Sequence, residues 1–300
     1  MQLNFFDHAM QYQVGKKSMN FLSEMKEIIP FDRLVSILIE EGICNPEIGK
    51  KGGRPQIPAK ILLGALFLQN WYSLSDPMTE ELIHDRISFR KFLDITEEDT
   101  IPDETTICKF RLKLIEKKLL SRIFNEVKEM MIQKNLILNE GTLVDATLIH
   151  TSEPKRKKDA KGNTISNEAQ DKEATYTSKR EQKHHGHKMH IATDTNGVIK
   201  KVIATTASTH DSTQFDALTE DEQKAIFADS GYMSKERKRK LRKEGVFNGI
   251  VERRVRGQSK LRAKQQRNNK RFAKLRGLVE LAFAFMKHHM HFKTCRYVDM

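Results

Sequence analysis

Along residues 1–140 the apolar positions recur every three or four residues, the spacing of helix faces packed on a core. In FDRLVSILIEEG, Phe31, Leu34 and Leu38 share one face, and the run stops at Gly42, a helix-ending signal. AKILLGALFLQNWY is apolar almost all round and predicts the central helix of this half. SDPMTEELIHDRISFRKFLDI predicts a helix or a pair of helices. IPDETTICKFRLKLIEKKLLSRIFNEVKEMMIQKN predicts one or two more, with Asp103 or Thr105 as N-cap because either side chain can accept from an early backbone N–H. The intervening NPEIGKKGGRPQIP reads as a loop.

At Gly141 the period changes from helical to alternating. GTLVDATLIHT reads as a strand, and KMHIATDTNGVIKKVIATTAS as two strands around the hairpin dipeptide Asn196-Gly197. HDSTQFDAL predicts a short helix capped by Asp211 or Ser212. IFADSGY predicts another strand, SKERKRKLRKEG a basic helix ending at Gly245, FNGIVERRV a fifth strand and RFAKLRGLVELAFAFMKHHM a long last helix. Between the first two strands, TSEPKRKKDAKGNTISNEAQDKEATYTSKREQKHHG is polar throughout and reads as a mobile loop. The expectation is therefore an α/β chain of two domains, helical over 1–140 and sheet-containing over 141–300.

Charge sharpens that boundary. The 300 residues carry a net +13, but residues 1–140 hold 19 Lys+Arg against 21 Asp+Glu, whereas residues 141–300 hold 34 against 19. The basic half expects a polyanion, most often nucleic acid. A membrane surface would require an amphipathic or lipid anchor, and no lipidation motif is present. The longest apolar run, Ile61 to Leu68, is far short of the roughly 20 residues that span a bilayer. The start of the sequence lacks the pattern of a signal peptide. Cys44, Cys108 and Cys295 match no metal spacing and suit a reducing cytoplasm. The histidines of HHGHKMH (His184, His185, His187, His190) have no accompanying Cys and fit no zinc pattern, so they are expected to cap the loop before a strand.

Three acids stand in apolar surroundings. Asp145 sits within the strand LVDATLI, Asp229 closes the strand IFADSGY, and Glu280 lies in LVELAFAF of the last helix. An unpaired buried carboxylate is costly, and neighbouring carboxylates repel. A hard divalent cation such as Mg²⁺ removes both costs, taking carboxylate, water and phosphate oxygens as ligands. Two such ions stabilise both the attacking and the leaving oxygen of a phosphoryl displacement. Taken singly the acids have duller accounts: Asp229 as a turn residue, Glu280 as part of a salt-bridge stripe with Arg276 and Lys287, which share its helical face.

The motifs VDATLI, ADSGY and R-x3-E-x6-K (Arg276, Glu280, Lys287), with GRPQIPAKILLGALFLQNWYSLSD and IPDETTICKFR in the first half, resemble the DDE transposases of bacterial insertion sequences, of the IS-five group. The resemblance covers nearly the whole chain. It implies a ribonuclease-H-like domain, a mixed five-stranded sheet with helices on both faces, following an N-terminal helical domain that recognises DNA ends or serves assembly. It implies Asp145, Asp229 and Glu280 as catalytic, metal-binding acids with Mg²⁺, replaceable by Mn²⁺, as two ions. The implied activity is cleavage at element ends and joining of the freed 3′-OH to target DNA. Arg276 and Lys287 would contact phosphate. Double-stranded DNA, as terminal repeats and target, is the implied partner, bound by a homodimer in the bacterial cytoplasm at the nucleoid. The sequence departs from the family pattern at Ala273, where a Tyr is usual, and it ends at HFKTCRYVDM, where family members continue to a final helix. That ending raises the expectation of a truncated copy.

Basic residues surround the proposed triad in sequence. RRVRGQSKLRAKQQRNNKRFAKLR holds eleven Lys/Arg and no acid, and offers Arg253, Arg254, Arg256, Lys260, Arg262, Lys264 and Arg267 to a DNA backbone. Few aromatics accompany them, which favours duplex phosphates over stacked single strands. In the helical half, Lys109, Arg111 and Lys113 either enter a groove or form the polar face of a bundle helix. Two rival functions share these features: a nuclease of the same fold, and a DNA-binding remnant without catalysis.

Overall fold

A computed structural model of the chain describes residues 16–44, 56–96, 99–152, 155–158, 164–168, 171–179, 181–220, 224–254 and 258–295. The chain divides into two compact units, 1–134 and 135–300.

The first unit is helical: α1 (Lys16–Ile28), α2 (Phe31–Glu40), α3 (Ala59–Tyr72), α4 (Asp76–Asp85), α5 (Ile87–Leu93), α6 (Glu104–Glu116) and α7 (Leu120–Gln133). The apolar run of α3 has the consequence its pattern dictates. Ile61, Leu62, Leu63, Ala65 and Leu68 are all buried, and Leu34, Leu38, Phe89, Phe92, Ile107 and Leu114 complete the same core. Trp71, the only tryptophan, packs its ring among Phe21, Phe67 and Phe92. Asp103 is the N-cap of α6, accepting from Thr106 N at 2.7 Å. Arg111 does not project from the polar face of α6. It is buried, donates to both carboxylate oxygens of Asp76 at 2.8 and 2.6 Å, and donates to Gln69 Oε1 at 3.0 Å. A guanidinium so engaged holds the bundle together and is unavailable to a DNA groove. The charge that suggested groove entry is consumed internally.

The second unit is built on a mixed sheet with helices. Its strands are β1 (Thr142–His150), β4 (Thr175–Lys179), β5 (Gln182–Thr193), β6 (Ile199–Thr206), β7 (Ala225–Ala228) and β8 (Phe247–Asn248), in the order β4-β5-β1-β7-β8 with β6 paired to β5. A separate antiparallel pair, β2 (Lys155–Lys158) with β3 (Thr164–Glu168), lies off this sheet. The helices are α8 (Phe215–Thr219), α9 (Lys235–Lys243) and α10 (Ala263–His288). β1 runs antiparallel to β5 and parallel to β7. Alternation along the strands then sorts side chains into two cores. Leu143, Ile149, Met189, Ile191 and Phe227 pack with Val279 and Phe283 of α10. Val144, Ala192, Ile226 and Ala228 pack with Phe215, Leu218 and Leu241 of α8 and α9. The turn at Asn196-Gly197 is anchored by the buried Asp194, whose carboxylate accepts from Asn196 N, Val198 N and Leu138 N at 2.8–2.9 Å.

Three expectations are corrected. Among the described residues the sheet has six strands, not five, because the polar stretch after β1 is not simply a mobile loop: it contributes β4 and the start of β5 to the sheet, besides the separate pair β2 and β3. Ladder bonds belong to the backbone, and TYTSK can pair at a sheet edge without supplying apolar side chains. The fifth predicted strand shrinks to two residues: Asn248 Oδ1 accepts from Ile250 N at 3.0 Å, while Gly249 N and Val251 N still donate to the carbonyls of Ile226 and Ala228 at 2.7 and 3.0 Å. His184, His185, His187 and His190 lie within β5 rather than in a loop before it. Gly186 among them has φ +150°, and a Cβ there would fall 2.1 Å from the carbonyl oxygen of Ile149 on β1, so only glycine lets the two strands meet.

Candidate active site

β1 and β7 are in parallel register with Leu143 opposite Phe227 and Val144 opposite Ala228. One step further along both strands come Asp145 and Asp229. Alternation puts both on the face of Leu143 and Phe227, which is the face α10 covers. α10 carries Arg276, Glu280 and Lys287, and Arg276 joins the acids: its guanidinium lies 2.9 Å from Asp229 Oδ1 and 3.7 Å from Glu280 Oε1. Lys287 Nζ donates to Thr147 Oγ1, two residues beyond Asp145 on the same face of β1. The structure thus brings Asp229, Glu280 and Arg276 together and sets Asp145 and the Lys287–Thr147 contact on the same face of the sheet.

The acids differ in setting. Asp145 is mostly covered. Burial pushes its carboxyl above the ordinary range, a hydrogen bond from Ala146 N at 2.8 Å and the charge of Arg276 oppose that, and the nearby charges of Asp229 and Asp211 add to it. Asp229 begins the turn Ser230–Tyr232, accepts from Ser230 N at 2.7 Å, and leaves about half its side chain in solvent. Glu280 is two-thirds exposed. The site is therefore anchored at Asp145 and open at Glu280. A cavity of about 680 Å³ bounded by Phe215, Ile226, Arg237 and Leu241 belongs to the other face and contains none of these acids. An open acidic ledge suits a polymer backbone better than an enclosed small molecule.

Sequence reasoning missed several residues here. Tyr232 is buried, its phenol oxygen has no partner among the described residues, and burial together with Asp211, Asp145 and Asp229 pushes its pKa upward. Arg237 reads in the sequence as one more charge of a basic helix. In the structure it stacks on Phe215 at 4.1 Å and donates to the carbonyls of Tyr232 and Ser212, tying together the turns after β7 and β6. Asp211 is not the helix cap: His210 Nδ1 accepts from Ser212 N at 3.3 Å, while Asp211 pairs with Lys188 at 2.8 Å. The histidines of β5 diverge. His187 bonds Asp171 at 2.6 Å, His190 is buried against Thr205 at 2.8 Å, and His185 bonds the carbonyl of Ser152 at 3.2 Å. Of the basic residues named from sequence, Arg253, Arg254, Lys260, Arg262, Lys264 and Arg267 are exposed, and Arg256 lies outside the described residues. The 250–254 segment is clamped to α10 by Asn269, which bonds both N and O of Glu252 at 2.9 and 2.8 Å.

A mixed sheet with a long helix laid over adjacent parallel strands, and an arginine-rich segment leading into that helix, has the architecture of a ribonuclease-H-like enzyme acting on nucleic acid. Residues 138–300 match the family model described as Transposase DDE domain, and residues 10–113 match Transposase domain (DUF772). The chain belongs to the DDE transposases of insertion sequences, enzymes that cleave and transfer DNA strands. Membership implies DNA as partner and a divalent metal ion as cofactor. The donor set fits such an ion in chemistry: hard carboxylate oxygens on one face, one of them destabilised as an anion by burial. In position it fits only in part. Among the described residues no three His, Cys, Asp or Glu side chains converge closely enough to hold a metal, and the Arg276 guanidinium stands against Asp229 and Glu280. No helix among the described residues is long and apolar enough to cross a membrane.

Proposed function

We propose that Asp145, Asp229 and Glu280 are the catalytic acids of this transposase and hold its divalent ions, Mg²⁺ in the first instance and two in number. The observation carrying this reading is the continued β1/β7 register, which sets Asp145 beside Asp229 on the face covered by the Glu280 helix. The bound ions supply a nucleophile activated near neutral pH and charge stabilisation for the leaving oxygen. The chain's own groups do the rest. Asp145 fixes the inner edge of the site through the strand and its bond to Ala146. Lys287, held at Thr147, sets a positive charge beside the carboxylates for a phosphate oxygen. Arg276 offers a fork that can bind two phosphate oxygens.

The exposed Arg253, Arg254, Lys260, Arg262, Lys264 and Arg267 hold the duplex by its backbone, and Arg256 belongs to the same stretch in sequence. The helical region 1–140 recognises element ends or serves assembly. Two ends must be cut, so the working form on DNA is a homodimer. The motifs VDATLI, ADSGY and R-x3-E-x6-K support the reading of an IS-five-group enzyme that acts on DNA at the bacterial nucleoid. The test is DNA carrying the element's own terminal repeats, incubated with Mg²⁺ or Mn²⁺. Wild type should cut at the repeat boundary only with metal, and Asp229→Asn should bind but not cut. Equal cutting by the two proteins would remove Asp229 from the mechanism.

A further inference from the structure

We propose that Arg276 is the resident counter-ion of the metal-free site, and that metal binding exchanges it away from the carboxylates and releases it to the substrate phosphate. The inference rests on the reading above that the three acids hold the metal. Its observation is separate: one guanidinium spans two acids from different elements, Asp229 after β7 at 2.9 Å and Glu280 on α10 at 3.7 Å. A single positive group thus bridges two of the acids proposed to hold the metal.

The seat is occupied but not locked. Only one of the two contacts is of hydrogen-bond length. Arg111 shows what a locked arginine looks like in the same chain, with both oxygens of Asp76 bonded at 2.8 and 2.6 Å and Gln69 beside them. A guanidinium also brings one charge to three carboxylates, whereas a divalent ion brings two and takes oxygens directly as ligands. The stem of Arg276 leaves α10 one turn before Glu280, so a released fork stays at the site rim. Metal binding and phosphate binding then favour each other, because each removes Arg276's competing engagement, and linkage requires the coupling to be reciprocal.

The test measures Mn²⁺ binding to the full chain without DNA, from the electron paramagnetic resonance signal of free aquated Mn²⁺. Arg276→Gln should bind Mn²⁺ about tenfold more tightly than wild type, a change of about 1.4 kcal/mol. Arg276→Lys, which keeps the charge but cannot span two carboxylates, should fall between. Asp145→Asn should bind more weakly. Adding a short duplex should tighten Mn²⁺ binding by wild type and leave Arg276→Gln unchanged. A merely structural arginine would not give a gain of affinity on removal. If both Arg276 variants bind like wild type or worse while Asp145→Asn is weak, the exchange is overturned and the metal assignment stands. If Asp145→Asn binds as tightly as wild type, the metal assignment falls and the exchange falls with it.

Discussion

Replacing Asp145 with asparagine should make the metal-free protein more stable. The side chain is nearly isosteric, and its oxygen can still accept from Ala146 N, so no hydrogen bond is lost. What disappears is a covered negative charge. An isolated buried charge costs several kcal/mol, but the backbone N–H and Arg276 offset part of that here, leaving a gain of about 1–2 kcal/mol. For a unit of this size that is a rise of about 2–8 °C in Tm. The sign depends on pH. The folded carboxyl titrates above its unfolded value near 3.9, so below that value both states are protonated and the variant has no advantage. As pH rises through the unfolded and then the folded value, ionisation increasingly penalises wild-type folding, and the advantage grows to a plateau. Calorimetry in EDTA from pH 3.5 to 8 measures this directly. Addition of Mg²⁺ should then raise the wild-type Tm and move the variant less, since only binding to the folded state stabilises it. A variant that melts below wild type in EDTA at neutral pH, or that gains equally from Mg²⁺, would refute the reasoning.

Gly186→Ala should lose about 3 kcal/mol or more, read from urea unfolding, because the left-handed backbone and the Ile149 carbonyl leave no room for a methyl group. Asp76→Asn should cost the helical unit about 3 kcal/mol by stranding Arg111, with Trp71 fluorescence as the local probe. Arg111 holds the Asp76 carboxyl below its usual range, so this contribution is complete above about pH 4 and fades as pH falls through the lower folded value. Changing Arg253, Arg254, Lys260 and Arg262 together to Gln should flatten the dependence of log K for DNA on log salt by about 0.9 per phosphate contact removed. An unchanged slope would place the backbone contacts elsewhere.

The helices of the first unit were legible because burial imposes a period, and FDRLVSILIE and AKILLGALFLQNWY carry it plainly. Asp145 and Asp229 were legible for the opposite reason: a carboxylate in an apolar strand violates its surroundings and calls for an explanation. The sheet's edges were harder: β4 has Tyr176 alone among polar residues and leaves no hydrophobic signature, while FNGIVERRV reads as a strand whose extent shrinks to Phe247–Asn248. Arg111 and Arg237 could not be told from their charged neighbours, because their partners, Asp76 and the carbonyls of Tyr232 and Ser212, are set by tertiary packing. Asp194 hides likewise in ATDTNG, where it reads as turn chemistry while also fastening Leu138. Arg276 beside Glu280 follows from the i,i+4 spacing along α10, but its contact with Asp229 needed the docking of α10 on β7, which no local spacing specifies.

The register of β1 against β7 turns the position of the acids into a matter of parity. Asp145 and Asp229 share a face because each stands an even number of residues from a neighbour buried under α10, Leu143 and Phe227 respectively. The loops within the stretch between the two strands can lengthen or shorten without disturbing that relation, but β4, β5 and β6 inside it belong to the same sheet. One residue gained or lost between Leu143 and Asp145, or between Phe227 and Asp229, would send a carboxylate to the opposite face and into the core formed by Phe215 and Leu241. Descendants of this chain can therefore vary in the loops between these strands, while single-residue insertions and deletions within the two steps Leu143–Asp145 and Phe227–Asp229 are excluded outright.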